Sequence, residues 1–320
     1  MKSNERTSGC HRWGLILAGG DGTRLLPLTR SITGDDRPKQ FCSVMGSETL
    51  LQQTQRRVSK LIPAWRTMLV LMAKHEPFYT AAVAGIPTAR LVIQPANRGT
   101  APAILNTVLR IREMDHKAIV ACFPSDHHFS DDAILVRHVE SAYAAAAARP
   151  DTVVLLGIPP ETPEVEYGWI EPGVPIEGRR AEAVCRVSRF WEKPTAPIAS
   201  QLMAKGCLWN SFIMVGHVQT FVDLVQHALP CMSEAFEGTR RSLFTVGEGS
   251  AFSELYCGIR DTSFSQHVLS VQPDRLAVLN AAGLGWSDLG EPGRVRSVLE
   301  GIAIRMERRL EVDGCLAAAH

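Results

Sequence analysis

A chain of 320 residues with 45% hydrophobic content can bury a sizeable core, as one large α/β domain or two small ones. Lysine and arginine number 34 against 33 acids, for a formal net charge of +1, which excludes a surface built to coat nucleic acid, since such surfaces carry a basic excess or stripe. No apolar run approaches the ~20 residues that span a bilayer, and the opening MKSNERTSGCHRWGLILAGG has too short an apolar core for a secretory signal.

Neither a membrane nor a nucleic acid is therefore expected as a partner. Residues 1–11 read as a disordered lead. The apolar run at 13–18 predicts a first strand that ends at LAGGDGTR, residues 17–24. Leu50, Leu51, Thr54, Val58 and Leu61 share one helical face, as do Ile104, Val108 and Ile111, while residues 68–72, 91–93, 118–123 and 152–157 read as further strands. The alanine patch at 144–148 is most simply part of a helix.

This alternation predicts an α/β fold, a Rossmann-like, mostly parallel sheet wrapped by helices, with ligands beyond the carboxyl ends of the strands. After about residue 160 the rhythm changes to shorter strands with glycine and proline turns, as in YGWIEPG at 167–173, which predicts an insertion or a smaller mixed lobe. No linker or repeat divides the chain, so one catalytic domain is expected over 12–290, with halves at about 12–160 and 161–290. Residues 291–320 carry a helical pattern at 295–306 and then a weak tail. That segment either caps the core or serves a subunit contact, and the second role would make a homodimer. Eight cysteines are scattered with no CxxC pair, which predicts reduced thiols and a cytoplasmic location.

The glycine turn excludes the familiar nucleotide loops. A dinucleotide fingerprint fails because Leu25 stands where its third glycine belongs, and a Walker A loop fails because Gly20 stands where its lysine belongs. What remains is a strand-to-loop turn whose glycines allow positive φ and bring backbone N–H groups toward an anion, with Arg24 beside them. A tight turn with a surface arginine would read the same way. Pro27 and then RPKQF at 37–41 place a second cation, Lys39, on the same loop, and two cations with a row of amides suit a triphosphate. Asp126 follows the apolar strand 119–125, where it is either a helix cap or a metal ligand at the strand's carboxyl end. His127 and His128 read as structural or supporting residues.

LAGGDGTRLLPLTR followed by RPKQF resembles the sugar-1-phosphate nucleotidyltransferase family, and its PKQF form resembles the mannose-1-phosphate guanylyltransferase branch. The resemblance continues through QPANRGTAPAI, FPSDHHF, EYGWIEPG, RFWEKP, LWNSFIMVG and WSDLG, over roughly residues 12 to 290. It implies a GT-A-like nucleotidyltransferase fold and a reaction of a nucleoside triphosphate, GTP, with a hexose 1-phosphate, mannose 1-phosphate. The products would be GDP-mannose or another NDP-sugar and pyrophosphate. It further implies that Leu17, Ala18, Gly19, Gly20, Gly22 and Thr23 wrap the nucleotide, that Arg24 and Lys39 hold its phosphates, and that Asn97, Gly99, Thr100 and Ala101 read base and ribose. Asp126 and Asp288 would bind Mg²⁺, with Arg24, Lys39 and Asp126 as the catalytic set. Gly168, Glu192, Lys193 and Asn210 would hold the sugar phosphate. A non-catalytic subunit that binds an NDP-sugar on the same fold is the alternative of a different class, and retention of Arg24, Lys39, Asp126, Lys193 and Asp288 favours the enzyme.

Two departures from the family pattern stand out. The family loop usually reads RNTAPA where this chain has Gly99, and the mannose enzymes commonly carry Ser-Gly where this chain has Ser211-Phe212. The segment 261–270 also lacks the acidic ending typical of that region.

Overall fold

The computed structural model describes residues 11–177 and 184–317. Residues 1–10 of the expected lead lie outside the described residues. Residue 11 belongs with the folded body: the His11 ring nitrogen Nδ1 is 2.9 Å from Asp115 Oδ1, and the His11 carbonyl accepts the Ile119 N–H at 2.8 Å.

Apolar runs form the first strands, β1 (Arg12–Leu17), β2 (Thr67–Met72), β3 (Leu91–Gln94), β4 (Ile119–Pro124) and β5 (Val153–Ile158), buried on both faces except at the edge strand β3, where Ile93 is exposed. The later strands are β6 (Gly168–Glu177), β7 (Val184–Glu192), β8 (Leu208–His217) and β9 (Leu276–Asn280). Three of them are longer than the first, with 10 residues in β6, 9 in β7 and 10 in β8 against 6 for β1, and only β9 is shorter, at 5. All nine lie in one sheet, in the order β3-β2-β1-β4-β8-β5-β9-β7-β6.

The first four strands are mutually parallel, and Leu17 at the end of β1 stands level with Val70 of β2 and Pro124 of β4. β7 and β8 run against the other strands. The half after residue 160 does not build a separate sheet, because β8 enters between β4 and β5. β6 also pairs with β8, through Trp169 with Trp209 and Ile170 with Leu208, so β8, β5, β9, β7 and β6 close a ring of hydrogen-bonded pairs. Gly157 of β5 permits that curl. A Cβ there would stand 2.7 Å from Leu208 Cδ1 and 2.8 Å from Val278 Cγ2.

The helices are α1 (Leu26–Thr33), α2 (Leu50–Ser59), α3 (Glu76–Tyr79), α4 (Thr100–Met114), α5 (Asp132–Ala148), α6 (Ala196–Ala204), α7 (Val218–Ala228), α8 (Pro230–Thr239), α9 (Glu248–Gly258) and α10 (Pro292–Ala317). α2 starts at a capping box in which Thr49 and Gln52 satisfy each other's backbone N–H groups. Its Leu50, Leu51, Thr54 and Val58 are buried, as the helical spacing predicts. α10 is one continuous element, longer than the pattern at 295–306 suggested. Among the described residues no helix is long and apolar enough to cross a membrane. Cys42, Cys122, Cys185, Cys207, Cys231 and Cys257 are free thiols.

Candidate active site

The carboxyl ends of β1, β3 and β4, the first residues of β8 and the loops beyond them enclose a cleft of about 480 Å³. Leu17, Gly19, Gly20, Asn97, Gly99 and Thr100 line one end, and Gly168, Glu192 and Asn210 the other. Asp126 and Asp288 also line it. The remaining residues singled out from the sequence lie elsewhere. Gly22, Thr23, Arg24 and Lys39 border a separate hollow of about 240 Å³. Ala18 and Ala101 are packed into the interior, and Lys193 does not line the cleft.

The glycine turn is shaped by close approach. Gly22 has φ 61, and a Cβ there would stand 3.2 Å from Lys39 N, so the turn and the RPKQF loop are packed backbone to backbone. At Gly19 a Cβ would come 3.0 Å from Gln94 Nε2, whereas at Gly20 it would meet nothing. Gln40, buried at 1% exposure, fixes the turn by donating Nε2 to the carbonyls of Ala18 at 3.1 Å and Gly20 at 2.7 Å. Asp21, the acid among the glycines, faces its own protein: Lys74 Nζ stands 2.7 Å from Oδ1 and His75 Nε2 3.2 Å, and Asn97 Nδ2 donates to Oδ2 at 3.3 Å. Burial pushes the Asp21 carboxyl up, but Lys74, Asn97 and His75 outweigh it and hold the group below the usual carboxylate range. Asn97 Oδ1 accepts the Gly99 N–H at 3.1 Å, so both ends of that amide serve the loop itself.

The three cations are all engaged. Lys39 Nζ donates to the carbonyls of Asp288 at 2.6 Å and Leu289 at 3.2 Å, and lies 3.3 Å from Asp126 Oδ2. Arg24 and Lys193 converge on one carboxylate, with Arg24 Nη1 2.7 Å and Lys193 Nζ 3.7 Å from Glu166 Oε2. The Arg24 hydrogen bond is the main cause that holds the Glu166 carboxyl below its ordinary value. Glu166 lies within the EYGWIEPG motif, yet only the fold shows that it faces both cations.

Asp126 does not cap the next helix. Asp131 does, accepting from the N–H groups of Ala133 at 2.8 Å and Ile134 at 3.0 Å. Asp126 lines the cleft, with His127 Nε2 3.9 Å from its Oδ1. His127 is held by Trp286, whose Nε1 donates to Nδ1 at 3.1 Å, and burial pushes its imidazole down, toward the neutral form. The Asp288 carboxylate accepts from the Tyr167 hydroxyl at 2.8 Å, the Gly290 N–H at 3.0 Å and Arg294 Nη1 at 2.9 Å. Arg294 Nη2 reaches Glu164 Oε2 at 2.7 Å. Nothing in the sequence pattern marked Arg294, since it stands in the segment read as a cap or subunit contact.

Asp126 and Asp288 thus both line the cleft, and Lys39 ties the Asp126 carboxylate to the backbone carbonyl of Asp288. Among the described residues no group of three or more His, Cys, Asp and Glu side chains could hold a metal ion by itself. Two hard carboxylates beside an anion-sized cleft fit a hard divalent cation that takes its other ligands from phosphate and water. Asp288 Oδ1 is already occupied by Tyr167, Gly290 and Arg294, whereas Oδ2 accepts only from Arg294 Nη1 at 3.0 Å and keeps an acceptor site for such an ion.

At the opposite end a Cβ on Gly168 would stand 2.9 Å from Phe190 Cζ and 3.0 Å from Glu192 Oε2, so the glycine makes room for the acid. Burial pushes the Glu192 carboxyl up against the pull of Lys193. Tyr167, Trp209 and Trp286 pack with ring centroids 5.0 to 6.2 Å apart and form a rigid aromatic support. Phe212 lines the cleft with φ 61, and its N–H donates to Asn210 Oδ1 at 3.1 Å.

A strand-end cleft with a glycine turn and paired acids defines a nucleotide-handling α/β protein, and comparison with known families makes this more specific. The chain matches the nucleotidyl transferase family over residues 13–303 and belongs to it. That family generally uses divalent metal ions. The chain is similar, at 31% identity over 296 residues, to the xanthan biosynthesis protein XanB of Xanthomonas campestris pv. campestris, covering 89% of this chain and 59% of that one. It is 27% identical over 283 residues to a mannose-1-phosphate guanylyltransferase of Escherichia coli, covering 86% of this chain and 57% of that one. The chain therefore spans less than two thirds of the length of these relatives. Among solved structures, one described as mannose-1-phosphate geranyltransferase from Thermus thermophilus superposes with a TM-score of 0.75 at 30% identity, covering 88% of this chain and 76% of that one.

Proposed function

We propose that the chain transfers a guanylyl group from GTP to mannose 1-phosphate, forming GDP-mannose and releasing pyrophosphate, in the cytoplasm. One observation carries this reading. Residues assigned by resemblance to two substrates, Gly19, Gly20, Asn97, Gly99 and Thr100 for one and Gly168, Glu192 and Asn210 for the other, line one cleft with both aspartates. The name of the Escherichia coli relative supports the choice of mannose and guanosine.

A phosphate oxygen of the sugar phosphate attacks the α-phosphorus of the triphosphate in line, and pyrophosphate leaves. No protein nucleophile is needed, so the work is positioning and charge stabilisation. The turn at 19–23 wraps the nucleotide, with Leu17 and Ala18 leading into it and Ala101 closing the base loop. Arg24 exchanges Glu166 for the phosphates, and Lys193 exchanges it for the phosphate of the sugar. Glu192 and Asn210 orient the sugar hydroxyls. Lys39 holds Asp126 and the 288–289 backbone at the reacting centre. Mg²⁺ held by Asp126 and Asp288 would neutralise phosphate charge and fix the line of attack.

The test is pyrophosphate release measured over four nucleoside triphosphates and several hexose 1-phosphates with Mg²⁺. GTP with mannose 1-phosphate should give the highest kcat/KM. Another preferred pair would reassign the substrates, and an absence of release from every pair, with an NDP-sugar still bound, would establish the regulatory alternative.

A further inference from the structure

The base loop and the segment after α9 are clipped together. The Ala101 N–H donates to the Thr262 carbonyl at 3.0 Å, the Thr262 N–H to the Arg98 carbonyl at 2.9 Å, and the Phe264 N–H to Thr100 Oγ1 at 2.8 Å. Arg98 Nε adds a bond to the Tyr256 carbonyl at 2.9 Å. This approach requires glycine at 99. The residue has φ 82, where a side chain is strained, and a Cβ there would overlap the Thr262 carbonyl oxygen and stand 2.5 Å from Asp261 Oδ1. Gly99 is therefore what lets residue 261 come to the cleft.

Asp261 lines the cleft beside Gly99, Thr100, Gln94 and Ser265. Among the described residues its carboxylate has no hydrogen-bond or ion-pair partner. An ionised carboxylate only accepts hydrogen bonds, and its two oxygens match two adjacent donors. Guanine offers such a pair in N1–H and the 2-amino group. Adenine sets an acceptor beside its amino group, and uracil flanks its N–H with carbonyls that repel a carboxylate.

We propose that Asp261, admitted by Gly99, is the residue that selects guanine, accepting from N1–H and the 2-amino group. The inference rests on the reading above that residues 97–101 face the nucleotide base. Ribose hydroxyls are the other donors a carboxylate could meet there, and the experiment separates them.

Equilibrium binding of GTP, ITP, dGTP and ATP to the whole chain is compared with binding to Asp261→Asn, an exposed change that leaves the clip intact. ITP lacks the 2-amino group, and dGTP lacks the 2′-hydroxyl. The unmodified chain should prefer GTP to ITP by about tenfold to a hundredfold, the range of one bidentate base contact, and the variant should bring that ratio close to unity while the GTP to dGTP ratio is unchanged. Gly99→Ala, which displaces the 261–262 segment, should lose the same preference. A GTP to ITP ratio that survives Asp261→Asn overturns the proposal, as does a change confined to the GTP to dGTP ratio, which would assign Asp261 to the ribose. Binding reads the base contact whether or not the chain turns over. Normal GTP selection without pyrophosphate release would thus remove the catalytic reading and leave this one standing.

Discussion

The two ends of the cleft are built in different ways. At the end proposed for the nucleotide, the parallel strands β1 and β4 stop level with one another, and the chain turns on glycines whose missing side chains let backbones meet, as Gly22 meets Lys39 and Gly99 meets Thr262. At the end proposed for the sugar phosphate the antiparallel strands β6, β7 and β8 supply the residues, and two nearby positions, Lys193 just after β7 at φ 46 and Phe212 in β8 at φ 61, hold left-handed backbone without being glycine. Tyr167, Trp209 and Trp286 pack on one another there, and Tyr167 and Trp286 form part of the cleft wall. One end gains its shape by omitting side chains, and the other combines a glycine at 168 with bulky residues held on left-handed backbone. A packed interior resists relaxation, which lets such backbone persist.

The largest effect is expected where the ends join. Lys39 reaches from the nucleotide loop to Asp126 and to the carbonyls of Asp288 and Leu289. Lys39→Met removes that tie and leaves one acid and two carbonyls without their donor. Turnover should fall about a hundredfold or more, on the order of 3 kcal/mol of transition-state stabilisation. These contacts predict a lower melting temperature as well. Steady-state rates and thermal melting check both, and near-normal rates would show that the two ends cooperate without this lysine.

The same contrast explains what could be read from the sequence. The strands at 13–18, 68–72, 91–93, 118–123 and 152–157 lie within a residue or so of β1 to β5, because a buried parallel strand is a continuous apolar run. The glycine turn was legible because few other residues allow such backbone approach. Glu166 and Arg294 were not, since a carboxylate facing two cations from other loops, or an arginine reaching from α10 to Asp288, depends on contacts over more than a hundred residues or on a helix's exact placement. Closure of β8 onto β6 is likewise a long-range pairing with no local sequence mark. The departure at Phe212 was visible, but its backbone consequence was not.

A middle-sized effect should tell the ends apart. Lys193→Ala should raise KM for the sugar phosphate about tenfold and leave triphosphate binding within a few-fold, the size of one half-exposed charge contact to phosphate. Glu166→Gln should act in the opposite sense, lowering KM severalfold for both substrates, because it releases Lys193 and Arg24 together. Equal losses of both substrates in Lys193→Ala would mean that this lysine supports the loop and does not meet the sugar phosphate.

The smallest effect concerns strain itself. At an ordinary position alanine is more stable than glycine, because glycine loses more backbone freedom on folding, by roughly 0.5–1 kcal/mol. At position 212 the order should reverse, since φ 61 costs a non-glycine residue about 1 kcal/mol or more, and both small residues lose the same ring. Phe212→Gly should therefore melt above Phe212→Ala, by roughly 1 kcal/mol in stability. Comparing these two variants with each other cancels the packing lost with the phenyl group, which a comparison with the unmodified chain would not. Thermal or urea melting decides it. If Phe212→Ala is the more stable of the two, residue 212 relaxes without cost and the sugar end stores no strain there. If the expected order holds, the phenyl group occupies a site where glycine would be the easier choice, and a shift in hexose 1-phosphate preference in Phe212→Gly would connect that strain to the pocket it shapes.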